Sequence, residues 1–247
     1  MPLILSFLYY LYHDKANKYS LIFIFISLII ILLSAEKASF AMIILFCLLF
    51  FISINFKKRI KIFLTLIFFS IIVLMLFLNK PIQDRLYHQF LSNSASGKYI
   101  YSAIHDSHFR TAYKMFKDKP IFGHGPKMYR FKCGENKYKI NEFSCSTHPH
   151  NFVLQILSET GVVGFIFYLL FYLSLFKICF KSFYFDNLFK QKFLPNYILT
   201  SSLLVIFFPL ATSGNIFNNW SSCLHFLTIG ILIFFLKLNK NNTKVNV

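Results

Sequence analysis

Apolar side chains along this chain come in long runs, with polar residues in short bursts between them. The runs lie at 2–12, 20–34, 38–55, 62–78, 161–177, 196–211 and 221–236. A hydrocarbon core of about 30 Å takes roughly 20 helical residues, with about 17 tolerated. Most of the runs reach that length once their flanking residues are counted. A helix satisfies all of its backbone hydrogen bonds within one segment, as a lipid environment demands. The pattern therefore predicts an all-α fold: a polytopic integral membrane protein with about seven transmembrane helices. The first run, PLILSFLYYLY, is short for a span. It lacks the basic n-region and small-residue cleavage site of a signal peptide. It reads as the tail end of a spanning helix, with further helices expected upstream.

The positive charges orient this arrangement. Lys15 and Lys18 form one group. Lys57, Lys58, Arg59 and Lys61 form a second, Lys177, Lys181, Lys190 and Lys192 a third, and Lys237, Lys240 and Lys244 a fourth. With seven helices all four groups fall on one side, which short-loop Lys/Arg bias makes cytoplasmic. Residues 34–39, 79–160 and 212–221 then face the periplasm. The expected organisation is transmembrane helices over 1–78, one large periplasmic loop with short surface helices over 79–160, and transmembrane helices with a cytoplasmic tail over 161–247. The expected location is the bacterial inner membrane, multi-pass.

Composition agrees with the pattern. The chain is 56% hydrophobic and only 14% charged, with 34 Phe among its 247 residues. A soluble domain is about a quarter charged. The formal net charge of +17 would suggest nucleic acid in a soluble protein. Its placement between membrane runs changes the expected partner to membrane lipids, and no nucleic acid is expected. Six of the eight histidines lie in the large loop: His88, His105, His108, His124, His148 and His150. A long external loop escapes the positive-inside bias, so the loop's excess of Lys and Arg needs another reason. An anionic ligand is one; anionic headgroups are the other. Composition leaves both open.

Within the loop, 107–120 has helical spacing, with Phe109, Tyr113 and Phe116 on one face. Ser107 is the expected N-cap and Pro120 the stop. The GHGP stretch at 123–126 is a turn. Pro149 suits the first turn of a short helix running to Ser158 or Glu159, with Gly161 as its cap and Gly164 opening a span. Asn151, Gln155, Ser158 and Glu159 share one face of that helix. Such a distribution fits a helix lying on a membrane surface. Cys47, Cys179 and Cys223 lie in apolar runs and read as small hydrophobes. Cys133 and Cys145 lie in the loop, and an oxidising compartment permits a disulfide there. Metal binding with His148 and His150 competes, though a zinc site wants a fourth ligand and tighter cysteine spacing. The disulfide is favoured and no metal is expected.

His150-Asn151, nine residues, then Gly161-x-x-Gly164 resembles the His-Asn-x9-Gly-x-x-Gly signature of the O-antigen ligase family. FRTAYKMFKDKPIFGHGPKMYR resembles that family's loop segment, in which an Arg precedes an aromatic-rich helix and a Pro-x-x-Gly-x-Gly turn. LLSAEKASF is similar to its external Ser-Gly-x-Arg hairpin, with Lys37 where Arg is common. FFPLATSGNIFNNWSS is similar to the stretch before its last helix. Family members commonly have around twelve spanning helices, more than this chain offers.

The resemblance implies a reaction. A glycan carried on undecaprenyl diphosphate is transferred to a hydroxyl of lipid A-core, in lipopolysaccharide biosynthesis. The donor is already activated, so no cofactor is implied. His150 is the implied base, since an imidazole near pKa 6.5 suits neutral pH. Arg110, Arg85 and Lys37 are the implied contacts to the diphosphate, and Asn151 is a fourth implied substrate-binding residue. An Arg offers a forked contact that a Lys lacks. Gly161, Gly164, Cys133 and Cys145 take structural roles. Arg110 and Arg85 also read as headgroup anchors, His148 as a supporting residue, and His88, His105, His108 and His124 as solvated loop residues. Trp220 reads as an interfacial anchor. An O-antigen polymerase, or an inactive truncated member, stays open beside the ligase. A transporter would place charged or Pro/Gly-broken residues at mid-membrane, and these runs hold almost none.

Overall fold

The computed structural model describes residues 37–53, 102–189 and 194–245, together with single helical positions at 26, 30, 66, 70, 73 and 77. The expected spans at 2–12, 20–34 and 62–78, and Arg85 with its surroundings, lie outside the described ranges. The regular structure among the described residues is helical, with turns and irregular segments between helices and no strand. In chain order the helices are α1 (Lys37–Ser53), α2 (Ala103–Asp118), α3 (Tyr129–Lys132), α4 (Phe152–Phe189), α5 (Leu194–Ile206) and α6 (Asn219–Val245). A short 3-10 turn occupies Glu142–Ser144. Among the described residues two segments are long and apolar enough to cross a membrane: Phe152–Lys181 in α4 and Asn219–Leu238 in α6.

The chain divides into two compact units. One comprises 1–92, 178–205 and 228–247; the other comprises 93–177 and 206–227. The first holds α1, most of α5 and the distal part of α4. There Tyr197 donates its hydroxyl to the Leu49 carbonyl (2.8 Å). The expected span over 196–211 stays helical only to Ile206, because the chain turns at 207–210 around Pro209, which has no N–H to continue a helix.

The second unit carries the motif. Its core is Ala112 and Met115 of α2 against Tyr129, Cys133 and Tyr138, with Leu154 packed alongside. Tyr129 donates its hydroxyl to the Ser144 carbonyl (2.8 Å), and burial pushes that phenol's pKa up. Tyr138 donates to the Asp118 carboxylate (2.5 Å). A disulfide joins Cys133 to Cys145. The 3-10 turn is tied to α2 through Asn141, whose amide donates to Ser107 Oγ (2.7 Å).

Three local expectations change. The helix at 107–120 begins earlier, at Ala103, because Ser102 is the cap: its hydroxyl accepts from His105 N (3.3 Å). Ser107 instead bonds back to the Ala103 carbonyl (3.0 Å). The face that α2 buries is Ser107, His108, Thr111, Ala112 and Met115, and Tyr113 is exposed. The aromatic face is not the buried one: Phe109 and Phe116 are half-buried beside the exposed Tyr113. The short helix at 149–159 starts at Phe152 rather than Pro149, because the backbone turns left-handed at His150.

Gly161 ends the first arm of α4, at φ 67° and ψ −164°. Two glycine motifs mate at this point. Val162 N donates to the Pro120 carbonyl (2.8 Å) and Val163 N to the Ile121 carbonyl (3.3 Å). In return His124 N and Gly125 N donate to the carbonyls of Ser158 (3.1 Å) and Glu159 (2.8 Å). A Cβ on Gly161 would collide with the Ile121 carbonyl, and one on Gly123 with the backbone of Glu159. Backbone lies directly on backbone, so both positions need a residue without a side chain. Gly164 lies one turn further, where a Cβ would strike the Thr160 side chain.

Candidate active site

Asn151 caps α4. Its side-chain oxygen accepts from Leu154 N (3.0 Å). Its amide nitrogen donates to the carbonyls of Pro209 (2.8 Å) and Ala211 (3.1 Å). One side chain thus fixes the helix start and fastens it to the 206–218 segment. That segment holds the motif at further points. Ser213 N donates to the His150 carbonyl (2.9 Å), and His148 Nε2 donates to the Ser213 carbonyl (3.2 Å). This bond sets the tautomer of neutral His148, whose Nδ1 then accepts from Thr147 Oγ1 (2.9 Å).

Between cap and turn, His150 sits at φ 57°. Left-handed backbone costs a residue with a Cβ roughly 1–2 kcal/mol, and such outliers cluster at functional sites. Ser146 Oγ lies 3.1 Å from His150 Nε2. Three more imidazoles surround it, with ring centroids at 4.1 Å for His148, 5.2 Å for His108 and 5.3 Å for His105. His105 and His108 come from α2, one turn apart. Both were expected to be solvated; His108 is buried, and its Nδ1 has no hydrogen-bond partner in the structure. His124 departs in the same way, with its Nε2 donating to the Met115 carbonyl (3.0 Å). Among the described residues no three His, Cys, Asp or Glu side chains are placed to hold a metal.

Burial disfavours the charged form of these rings, and each discourages protonation of its neighbours. His150 is drawn down to about 4, first by burial and then by His148, His108 and His105. Burial also lowers His108 and His148, with Arg130's charge adding to the shift at His148. At neutral pH these three imidazoles are uncharged, and His150 is a free base. Its pKa lies below the neutral value expected from sequence, because the sequence revealed neither its burial nor the three neighbouring rings. An anion bound beside it would favour the protonated form, returning it toward the pH at which a general base works best.

The first arm of α4 carries a second polar cluster. Gln155, Ser158 and Glu159 are fully buried, so the face expected to lie on a membrane surface points inward. Glu159 accepts from the backbone N–H groups of Lys127 (2.9 Å) and Tyr129 (2.9 Å). Gln155 donates to Glu159 (3.2 Å) and to Asn215 Oδ1 (2.7 Å), and accepts from Ile216 N (3.1 Å). Buried polar groups without partners are costly. Here the partners arrive from the 127–129 turn and the 215–216 strap.

Arg110 stands apart from the histidines. On a helix at about 100° per residue it falls some 160° from His108. It is exposed and paired with Asp106 (3.1 Å). Lys37 opens α1 in the other unit. Arg130 is the cation that sequence reasoning passed over, and its charge reaches His148.

The family model described as O-Antigen ligase matches residues 22–169, more than half of the 247. No curated protein and no solved structure matches the chain. The family match takes in α1, α2, the glycine turn, His150-Asn151 and Gly161-x-x-Gly164. The chain belongs to the O-antigen ligase family, membrane-associated enzymes of glycosyltransferase type in O-antigen and lipopolysaccharide biosynthesis.

Proposed function

We propose that this protein transfers a glycan from undecaprenyl diphosphate to a lipid A-core hydroxyl at the periplasmic face of the inner membrane. The observation that carries this reading is His150, held left-handed and uncharged among three other imidazoles at the start of α4. The acceptor oxygen bonds to the anomeric carbon as the bond from that carbon to the phosphate oxygen breaks. The hydroxyl proton goes to His150, and undecaprenyl diphosphate leaves with the bonding electron pair. A positioned base contributes typically ~10²–10⁴-fold to such a step. Arg110, Arg85 and Lys37 bind the diphosphate in this proposal. The Arg110–Asp106 pair does not oppose that role, since an exposed pair is worth under about 1 kcal/mol and releases its Arg readily. Asn151 acts by positioning His150. In the assembled enzyme the chain spans the membrane about seven times, with 79–160 periplasmic.

The test is the ladder of glycan-capped lipopolysaccharide in a ligase-deficient host, at matched protein level. His150→Asn removes the imidazole while keeping a residue at ease in left-handed backbone, and should abolish the ladder. Arg110→Lys should weaken it, because a point charge does not reproduce a fork. A normal ladder from His150→Asn would refute the base. Polymerised glycan left on the lipid carrier, with none on core, would reassign the enzyme as a polymerase.

A further inference from the structure

The mated glycine turns leave one feature that the proposed chemistry does not use. Pro120 and Ile121 are bonded through their carbonyls to Val162 N (2.8 Å) and Val163 N (3.3 Å). The side chains of Ile121 and Phe122 are nevertheless bare, at 61% and 73% exposed. Beside them the second arm of α4 also turns apolar side chains outward: Val162, Val163, Ile166 and Phe167. All of these residues belong to one compact unit, and the backbone bonds fix the turn at the height of α4's bend. From Val162 to the end of the apolar segment at Lys181, about twenty residues at ~1.5 Å each make roughly 30 Å, the thickness of a hydrocarbon core. The bend at Gly161 therefore falls at the boundary between hydrocarbon and headgroups, and Ile121 and Phe122 fall there with it. Lys117 and Lys119, both exposed, precede them. Cations beside exposed apolar residues are the composition of an interfacial membrane contact.

We propose that the Pro120–Phe122 turn is a membrane-seated wedge. Its occupant is lipid: acyl chains cover Ile121 and Phe122, and phosphate headgroups meet Lys117 and Lys119. The surface is continuous with the lipid-facing side of α4, so it rests on the reading of that helix as a span. The wedge sets the depth of the C-terminal end of α2, and the backbone pairing passes that depth to the arm that begins at Phe152, just after His150.

Spin labels read depth directly. In a chain with Cys47, Cys179 and Cys223 replaced by alanine and the Cys133–Cys145 disulfide kept, single labels are placed at Phe122→Cys, Phe167→Cys and Glu142→Cys. Glu142 belongs to the 3-10 turn, tied to α2 near Ser107 and about 16 Å along the helix from its Asp118 end. The protein is reconstituted in phosphatidylethanolamine/phosphatidylglycerol nanodiscs. Collision rates are measured with oxygen, which concentrates in lipid, and with a water-soluble nickel chelate. The expected oxygen-to-nickel ratio at 122 is several-fold above that at 142 and approaches that at 167. A ratio at 122 equal to that at 142, with 167 still in lipid, overturns the wedge alone. If 167 is as aqueous as 142, the spanning helix fails and takes the wedge with it.

Discussion

The two arms of α4 sort their side chains in opposite directions. In the arm from Phe152 to Thr160, Gln155, Ser158 and Glu159 are hidden and hydrogen-bonded. Past Gly161, Val162, Val163, Ile166, Phe167, Leu169, Leu170 and Leu173 are exposed. A surface that hides polar atoms and shows apolar ones is costly in water and favourable in lipid. The first arm is different: its polar groups are inside because the neighbouring turn and strap satisfy them, and Phe152 and Ile156 are buried with them. Gly161 therefore separates an arm that hides its polar groups from one that exposes apolar side chains, and the motif-bearing arm is held by backbone and polar side chains.

The hinge should be the most sensitive position. Gly161→Ala adds a Cβ where the Ile121 carbonyl already lies, in backbone at φ 67°. With its ψ of −164° this is backbone open essentially only to glycine, where strain costs of order 1–3 kcal/mol, and backbone has nowhere easy to move. The expected result is loss of the thermal transition of the purified protein, or its displacement by well over ten degrees. An unshifted transition would mean that the two arms do not need their close contact with the 120–123 turn.

Next comes the polar arm. Glu159→Gln keeps the shape but turns an N–H₂ group toward one of the backbone donors of Lys127 and Tyr129. A buried donor left without an acceptor costs about 1–3 kcal/mol. Stability should fall by that amount in a denaturant or thermal titration. A neutral outcome would show that the 127–129 turn finds another acceptor, and the inward polar face would lose its explanation.

These residues also mark how far the sequence could be read. The apolar runs at 38–55, 161–177 and 221–236, the breaks at Pro120 and Gly161, and the His150-Asn151 signature are local patterns, and they were legible. The inward face of the first arm was not, because the same spacing of Asn151, Gln155, Ser158 and Glu159 serves a helix wetted on that side. What decides is whether Lys127, Tyr129, Asn215 and Ile216 supply partners, and those lie about thirty residues upstream or sixty downstream. His105 and His108 were missed for the same reason: nothing near them in the chain announces that His150 lies across from them. The glycine turn and the Gly-x-x-Gly pair were each visible, but their docking on one another was not.

The cluster where the polar arm begins predicts the pH response. His150 goes from 6.5 as an ordinary histidine to about 4 in the folded protein, and His108 and His148 shift the same way. Between these values the unfolded chain binds more protons than the folded one, so stability rises with pH. It should be fully present above about 6.5 and decline as pH falls toward 4. Thermal midpoints recorded from pH 7.5 to 4.5 should show this decline, with a shallower slope in His150→Asn. A flat profile in the parent protein would mean that the imidazoles are not buried against one another.

The smallest effect is expected on the apolar arm past Gly161, and it tests the comparison most directly. Ile156 and Phe167 are both large apolar residues of α4, with Ile156 at 5% exposure and Phe167 at 69%. Truncating the buried one leaves a cavity among packed neighbours, and such a change costs about 2–5 kcal/mol. Truncating the exposed one leaves no cavity, because lipid fills the space. Substitutions at an outer surface usually stay within about 0.5 kcal/mol. Ile156→Ala should therefore lower the thermal midpoint in nanodiscs clearly, while Phe167→Ala, despite deleting the larger side chain, should leave it almost unmoved. If Phe167→Ala is the more damaging of the two, that face of α4 packs against protein rather than lipid, and the two arms are not in different environments.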